Sequence, residues 1–322
     1  MSVISYFKNQ GGLKLIKQYA RNHVLLYAVR SFLLVPKNRV GLEIFRELVN
    51  AKTYLKLKKK YRNVLESVTE VPDCGNNSPI SNGVKSEKPK IIWVCWLQGI
   101  ENAPPLVQAC YKSIKECNPE YEVRLLTSEN LQLYTNLPDF IIEKWQKGII
   151  TNTHFSDILR NNLLLNHGGT WVDATLFFTS HIPSEIENAQ LFYFQTLKPG
   201  RDGKTSPLSN WFISSTKNNP VLNLQQKLLF SYWKRENRIW DYFFFHYFFK
   251  MSLEKYSEIA ESVPKYTNET PHIMLFELGK KYDENKFNLI AAKSFCHKLT
   301  YKVSDEVKND KDSLYSFIGQ LI

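Results

Sequence analysis

The stretch of residues 153–175, THFSDILRNNLLLNHGGTWVDAT, most narrows what this chain can fold into. Its leucines recur at helical spacing and predict a helix that begins near Ser156 and packs on a sheet. The glycine pair that follows ends this helix, because the first glycine can adopt a left-handed conformation at little cost. A short strand over 170–172 comes next, so Asp173 lies at the carboxyl end of a strand, where open α/β sheets bind ligands.

Two charged residues lie inside the predicted helix. Asp157 and Arg160 are three residues apart and therefore share one helix face. Two acids and a base that meet at one sheet edge are typical of a sugar-nucleotide pocket. The alternative is an exposed helix pair that contributes roughly 0.3 kcal/mol, with Asp173 merely beginning a turn.

The order of these features resembles a known family of sugar transferases. The pattern SDILR, a leucine-rich helix, GG, a short strand and Asp is similar to capsular polysaccharide synthesis proteins, and more distantly to glycosyltransferase family 32 and the glucosylating domain of large clostridial toxins. The resemblance implies an α/β, GT-A-type, Rossmann-like nucleotide-sugar-binding domain with a mostly parallel central sheet. It also implies that Asp157 and Arg160 bind the hydroxyls and phosphate of the donor, and that Asp173 binds its ribose and a metal ion.

Residues 88–99, KPKIIWVCWLQG, predict the first buried strand of that sheet. Trp93 and Trp96 are three apart and point to opposite faces, so one can belong to the core while the other lines a pocket. The resemblance implies that Trp96 stacks on uracil and that Gly99 lets the backbone approach the nucleotide. The alternative is that both tryptophans are core residues.

Departure of a nucleoside diphosphate leaves negative charge that a Mn²⁺ or Mg²⁺ ion usually neutralises. The family holds this ion with an Asp-x-Asp motif, whereas here a hydroxyl, Thr175, replaces the second carboxylate after Asp173. A metal ion held by Asp173 and Thr175, with His297 as a further ligand, is expected. The alternative is that basic residues, Arg160 and Lys298, carry more of the task.

The segment HKLTYK near the end of the chain resembles the element that closes the site in the family. Its polar residues are candidates for binding the donor diphosphate, an electrostatic need of glycosyl transfer. These candidates are His297, Lys298, Thr300 and Lys302. An ordinary polar surface strand is the alternative.

The second half of the chain offers acceptor-side and catalytic candidates. By resemblance, Asn210 and Trp211 lie near the acceptor. The aromatic run WDYFFFHYFFK at 240–250 contains Asp241 and His246, which join Asp173 as catalytic candidates. The alternative for this run is a buried helix with His246 hydrogen-bonded in the core.

Residues 1–66 hold 14 Lys or Arg against three Glu, a surplus that equals the net charge of +11 of the whole chain. Their amphipathic, aromatic-containing pattern predicts contact with an anionic membrane surface. A helical subdomain that packs on the enzyme is the alternative. No apolar run approaches the ~20 residues of a membrane span. Nucleic acid is not an expected partner, because no recognised motif accompanies the basic cluster at 56–62.

Composition predicts four segments: a basic helical region over 1–70, a Pro-, Gly-, Asn- and Ser-rich linker over 71–88, a transferase domain over 89–305 and a C-terminal tail over 306–322. The five cysteines form neither a disulfide framework nor a zinc motif, which favours a reducing cytosol. We therefore expect a cytoplasmic protein at the inner face of the cell membrane.

These observations predict a glycosyltransferase that moves a hexose from a UDP-sugar to a lipid-linked surface or capsular polysaccharide intermediate, with retention of anomeric configuration. An inactive scaffold that keeps the transferase fold is the main alternative, with Thr175 as the trace of lost catalysis. A sugar nucleotidyltransferase is disfavoured because no Gly-rich basic triphosphate loop lies near the first strand.

Overall fold

A computed structural model describes residues 12–67, 88–196 and 208–322. Residues 1–11 of the predicted basic region and all of the predicted linker except Lys88 lie outside the described residues. Within the described ranges, no helix is long and apolar enough to cross a membrane.

The central sheet has the strand order β2-β1-β3-β6-β5, and a second, two-stranded sheet pairs β4 with β7. The strands are β1 (Ile91–Cys95), β2 (Glu122–Leu126), β3 (Gly169–Val172), β4 (Leu176–Phe178), β5 (Leu191–Gln195), β6 (Leu208–Ser215) and β7 (Cys296–Lys298). In the central sheet β1 is parallel to β2 and β3, whereas β6 is antiparallel to both of its neighbours. Four strands therefore run in one direction, which confirms the predicted α/β class and mostly parallel sheet.

Helices alternate with the strands and also make up most of the described residues at the start of the chain. The α-helices are α1 (Leu13–Arg21), α2 (Leu25–Leu34), α3 (Arg39–Lys60), α4 (Arg62–Glu66), α5 (Pro105–Cys117), α6 (Asp139–Gln146), α7 (Asn152–His167), α8 (Ser184–Asn188), α9 (Pro220–Arg235), α10 (Phe244–Lys255), α11 (Ser257–Ser262), α12 (Glu284–Ala291), α13 (Asp305–Asn309) and α14 (Leu314–Gly319). Short 3₁₀ turns lie at Ile100–Asn102, Leu131–Leu133, Thr270–His272 and Met274–Glu277.

Helix α7 begins one turn earlier than predicted. Thr151 has extended backbone angles, and its hydroxyl accepts a hydrogen bond from the His154 N–H, so it caps the helix in place of Ser156. The predicted end is confirmed: Gly168 has a φ of 73°. A Cβ on Gly169 would lie 2.6 Å from the Ile91 carbonyl oxygen, so this glycine lets β3 approach β1 closely.

The end of helix α3 packs on the core of the central sheet. Tyr54 and Leu57 of α3, and Tyr61 directly after it, are buried in the same hydrophobic core as the central sheet. The Tyr54 hydroxyl donates to the Glu254 carboxylate at 2.6 Å, and the Tyr61 ring packs edge-on against Phe248. For the end of α3, the alternative of a packed helical subdomain applies, whereas Val24, Ala28 and Val49 form a small separate core with Tyr19 and Phe45.

The predicted C-terminal tail is folded. Helices α13 and α14 begin at serines, Ser304 and Ser313, whose side chains accept the capping hydrogen bonds. Leu314 and Ile318 are buried in a second core with Phe177 of β4. A short apolar stripe at helical spacing supplies this packing, so the segment 306–322 is part of the body of the protein.

Candidate active site

A cavity of about 640 Å³ opens at the carboxyl ends of β1 and β3. Because these strands are parallel and adjacent, their carboxyl ends meet at one edge of the sheet. The residues predicted from the sequence that line this cavity are Trp96, Asp157, Arg160, Asp173, Thr175, Asn210, Trp211 and His246. The structure therefore brings together residues from the first strand to the aromatic run.

Arg160 joins the two acids of the cavity. Its Nη1 lies 2.6 Å from Asp157 Oδ1, and its Nη2 lies 3.1 Å from Asp173 Oδ1. The Asn210 amide donates a further bond to Asp157 Oδ1 at 2.9 Å, and the guanidinium lies over the Trp171 ring. Arg160 and Asp157 are only 3% and 5% exposed. The alternative of an exposed helix pair is therefore wrong, because this helix face is turned to the sheet edge.

Both carboxylate oxygens of Asp173 are engaged. Oδ1 accepts from Arg160 and from the Trp171 indole N–H at 3.0 Å, and Oδ2 accepts from the Lys298 ammonium at 2.9 Å. Burial alone raises the pKa of Asp173. The charges of Lys298 and Arg160 outweigh burial, so the pKa lies below its usual value and the group is ionised at neutral pH.

The ammonium of Lys298 lies beside Asp173 and Thr175, the two residues at the positions of the family's Asp-x-Asp motif. Its ammonium donates to Thr175 Oγ1 at 2.7 Å as well as to Asp173. The pairing of β4 with β7 places Lys298 opposite Leu176, the residue after Thr175. This antiparallel pairing carries the ammonium to the Asp173 edge, 125 residues along the chain.

The donor set at Asp173 does not fit a firmly held divalent ion. Mg²⁺ and Mn²⁺ favour several oxygen ligands, carboxylates among them. Here one carboxylate is already paired with an ammonium, and its neighbour is the hydroxyl of Thr175. Nowhere in the described ranges do three or more His, Cys, Asp or Glu side chains form a group that could hold a metal ion.

No candidate of the HKLTYK segment is among the residues that line the cavity, and Lys298 adjoins it through Asp173 and Thr175, which do line it. His297 points to the other face of β7, is fully buried and lies 3.2 Å from the Thr179 hydroxyl. Burial lowers the pKa of His297 to about 4. The predicted role of His297 as a metal ligand does not fit this position, because successive residues of a strand point to opposite faces and the Lys298 side faces Asp173. Thr300 and Lys302 are also outside the cavity lining, and the Thr300 hydroxyl accepts from the Lys302 N–H.

The aromatic run divides between two surfaces. His246 lines the cavity, and burial lowers its pKa to about 4, so its imidazole is neutral at neutral pH. Asp241 lies outside this cavity and accepts a hydrogen bond from the Phe243 N–H. Helix α10 begins only after Phe243, so Asp241 is not carried on the helix face of His246. The predicted catalytic role of Asp241 therefore does not fit its position outside the cavity.

The two tryptophans of the first strand separate as their spacing predicts. Trp93 is fully buried, and its indole N–H donates to the Gly168 carbonyl at 3.0 Å. Trp96 lines the cavity just beyond β1 and packs edge-on against Tyr301. Gly99 has a φ of 82°, a conformation in which glycine is favoured.

Several cavity residues, among them Trp171, Asn268 and His272, escaped the sequence argument. Trp171 binds Asp173 from two residues upstream, and the period of two in a strand would have indicated that shared face. Asn268 and His272 line the cavity beside β6, where the Asn268 amide donates to Ser209 Oγ at 3.0 Å. No motif in the sequence around these two residues indicates that they line the cavity.

Comparison with known proteins identifies the family to which the chain belongs. A family model described as capsular polysaccharide synthesis protein matches residues 42–318. The chain belongs to the capsular polysaccharide synthesis protein family. The resemblance drawn from the SDILR and GG motifs is thereby confirmed, and the family match includes most of α3 and reaches into α14.

This capsular family protein is also similar, more distantly, to one curated protein and one solved structure. It is 25% identical over 162 residues to the O-glycosyltransferase braB of Annulohypoxylon truncatum, a match that covers 45% of this chain and 38% of that protein. The chain thus spans well under half the length of that relative. The solved structure titled PaToxG Glycosyltransferase is 15% identical, with a TM-score of 0.37, 86% of this chain covered and 98% of that one.

Proposed function

We propose that this protein is a glycosyltransferase that moves a hexose from a UDP-sugar to a lipid-linked surface or capsular polysaccharide intermediate. Membership of the capsular family and the relative named an O-glycosyltransferase support sugar transfer. The single observation that carries the proposal is the Asp157–Arg160–Asp173 cluster at the wall of a cavity on the carboxyl edge of the sheet. The GT-A class of the fold is part of the same proposal.

Each wall of the cavity has a part in donor and acceptor binding. Trp96 would stack on the uracil ring, and Asp157 with Arg160 would bind sugar hydroxyls and phosphate. Asn210 and Trp211 lie on β6, on the acceptor side. The neutral imidazole of His246 can accept a hydrogen bond from a sugar hydroxyl, since an uncharged ring has one free acceptor nitrogen.

We assign neutralisation of the leaving diphosphate to Lys298 and Arg160. An ammonium has three N–H donors, and Lys298 gives two of them to Asp173 and Thr175, so one is left for a phosphate oxygen. Arg160 is fixed by two carboxylates, and its Nε has no hydrogen-bond partner among the residues that the structure describes. Prepositioned charges of this kind stabilise a developing anion without reorganisation. Lys298 then takes the place of the metal ion that the family resemblance implies.

We also infer that transfer proceeds with retention and without a covalent carboxylate intermediate. Among the described residues, the carboxylates that line the cavity are Asp157 and Asp173, and both are paired with Arg160. A carboxylate held in such pairs is a weaker nucleophile than a free one. Retention itself is what the family resemblance implies, so hydrolysis of the donor in place of transfer should release the sugar with its original anomeric configuration.

A panel of nucleotide sugars tests the proposal. The pure protein is incubated with UDP-, GDP- and CDP-sugars, and release of the nucleotide diphosphate is measured by chromatography. Only UDP-sugars should be hydrolysed, and Asp173→Asn should lower the rate at least tenfold. Asp305→Asn is the matched control, because this side chain is 89% exposed on α13. Circular dichroism of both variants separates loss of activity from loss of fold.

Other results would replace the proposal. If the wild-type protein neither binds nor hydrolyses any nucleotide sugar, the inactive scaffold is the correct description. Consumption of a sugar phosphate and a nucleoside triphosphate, with pyrophosphate released, would instead indicate a nucleotidyltransferase.

A further inference from the structure

A second cavity, of about 780 Å³, lies between helices α1, α2 and α3 and the segment before α10. We call it the apolar groove. Its lining is dominated by aliphatic and aromatic side chains, among them Leu15, Val29, Phe32, Leu33 and Phe45. Val29 and Leu33 are 51% and 72% exposed, so the groove opens to its surroundings. Monomeric soluble proteins seldom leave an extended apolar surface exposed without a use for it.

The apolar groove adjoins the candidate active site. Tyr242 and Phe243 line both cavities. The Tyr242 side chain is largely exposed and contacts the ring of His154, which itself lies 3.4 Å from Asp157. A molecule lying in the groove therefore ends beside the cavity that contains the Asp157–Arg160–Asp173 cluster.

The surface around the apolar groove combines positive charge with exposed hydrophobic residues. Lys14, Lys17, Arg21 and Arg30 are exposed on α1 and α2. Leu13, Leu26 and Leu34, on the same two helices, are 73%, 66% and 83% exposed. Basic residues beside exposed aliphatic ones favour an anionic, hydrocarbon-containing surface.

We propose that the apolar groove binds the hydrocarbon chain of a phosphate-linked lipid acceptor. The chain would lie against Val29 and Leu33, and its head would pass Tyr242 into the candidate active site. Arg46, a cation in the groove lining beside Asp241, is placed near this passage to attract the phosphate. The inference rests on the proposed function, because it supplies that reaction with its acceptor.

A series of alkyl phosphates tests this inference directly. Octyl, decyl and dodecyl phosphate, each below its micelle concentration, are titrated into the full chain by calorimetry, with inorganic phosphate as the head-group control. Each added pair of methylenes should tighten binding about tenfold, because the groove removes them from water. Inorganic phosphate should bind far more weakly than dodecyl phosphate.

Two neighbouring leucines provide matched variants. Leu33 lines the apolar groove, whereas Leu34 is exposed next to it and does not. Leu33→Asp should weaken dodecyl phosphate binding at least tenfold and flatten the dependence on chain length. Leu34→Asp should bind as the wild type does. Neither change touches the candidate active site, so UDP-sugar hydrolysis should stay unchanged in both variants.

Several outcomes would overturn the inference. Binding that ignores chain length, or that falls equally in both variants, would remove the groove from lipid binding while leaving hydrolysis and the proposed function intact. If binding appears only after residues 1–11 are deleted, the occupant is that segment of the chain. A dimer that Leu33→Asp dissociates would make the occupant a second copy. Absence of hydrolysis in the wild type would end the proposed function and the acceptor assignment with it.

Discussion

The candidate active site and the apolar groove share Tyr242 and Phe243 but are built on opposite principles. In the active site, each charged group has a partner of opposite charge, as Arg160 has in Asp157 and Asp173, and both Arg160 and Asp157 are buried. In the groove, apolar side chains such as Leu33 remain exposed. Burying paired charges fixes their geometry, because an unpaired buried charge is strongly unfavourable. Exposed apolar surface has no such constraint and is available to an external partner.

The first prediction sharpens this contrast through stability. Arg160→Met should lower the free energy of unfolding by about 3–5 kcal/mol, because it leaves the buried Asp157 carboxylate without its cation, while Asp173 keeps Lys298. Leu33→Asp, at the exposed edge of the groove, should change it by less than about 1 kcal/mol. Urea unfolding followed by circular dichroism measures both.

A surface ion pair supplies the control for Arg160. Arg39 pairs with Glu43 on α3, with side chains 88% and 60% exposed. Arg39→Met should cost less than about 1 kcal/mol. Equal losses for Arg160→Met and Arg39→Met would break the contrast, since they would show that burial adds nothing to the pairing.

The second prediction concerns acid. His297 is buried and its pKa is lowered from 6.5 to about 4, so the unfolded chain binds a proton more tightly than the folded one. The stability that this neutral ring contributes is therefore present above pH 6.5 and is lost as the pH falls towards 4. The loss from this group is at most about 3 kcal/mol. His297→Gln should flatten the decline in unfolding free energy between pH 6.5 and 4.

His181, which is exposed, is the control for this experiment. His181→Gln should leave the dependence of stability on pH as it is in the wild type. Identical pH curves for His297→Gln and the wild type would show that the His297 ring is not held neutral by burial.

The smallest predicted effect lies on the groove side. Lys17→Gln and Arg30→Gln should each weaken binding to vesicles of anionic lipid by about 1 kcal/mol, roughly a fivefold change, and the loss should shrink at high salt. Lys286→Gln, which removes an exposed charge from α12, is the control. Co-sedimentation that is insensitive to Lys17 and Arg30 but not to Lys286 would place the membrane-binding surface elsewhere.

Much of the active site is predictable because it is local in sequence. Asp157, Arg160 and Asp173 follow from one helix, one glycine pair and one strand, and secondary-structure periodicity suffices to place them at one edge. The position of Lys298 is different, because it depends on the pairing of β4 with β7. Nothing near HKLTYK indicates which of its polar residues faces Asp173, so His297 and Lys298 could not be told apart without knowing that strand.

The start of the chain shows a second limit of sequence reasoning. Basic amphipathic helices have the same composition whether they contact a membrane or pack on a protein. The spacing of Tyr54 and Leu57 on α3 and of Tyr61 directly after it is the helical stripe that marks the packed part. The direction of the Asp241 side chain could not be predicted either, because it depends on where α10 begins. Helix boundaries are the least predictable feature of a sequence.

Lys298 in place of a metal ion is the central claim, and donor hydrolysis in EDTA tests it most directly. The wild type should release UDP at the same rate with EDTA as with Mn²⁺. Lys298→Met should be slower by about 10²–10³-fold and should not be restored by Mn²⁺. Lys302→Met, an exposed lysine in the same segment, should be unaffected. A wild type that is inactive in EDTA, together with a Lys298→Met variant that is fully active in Mn²⁺, would contradict the claim.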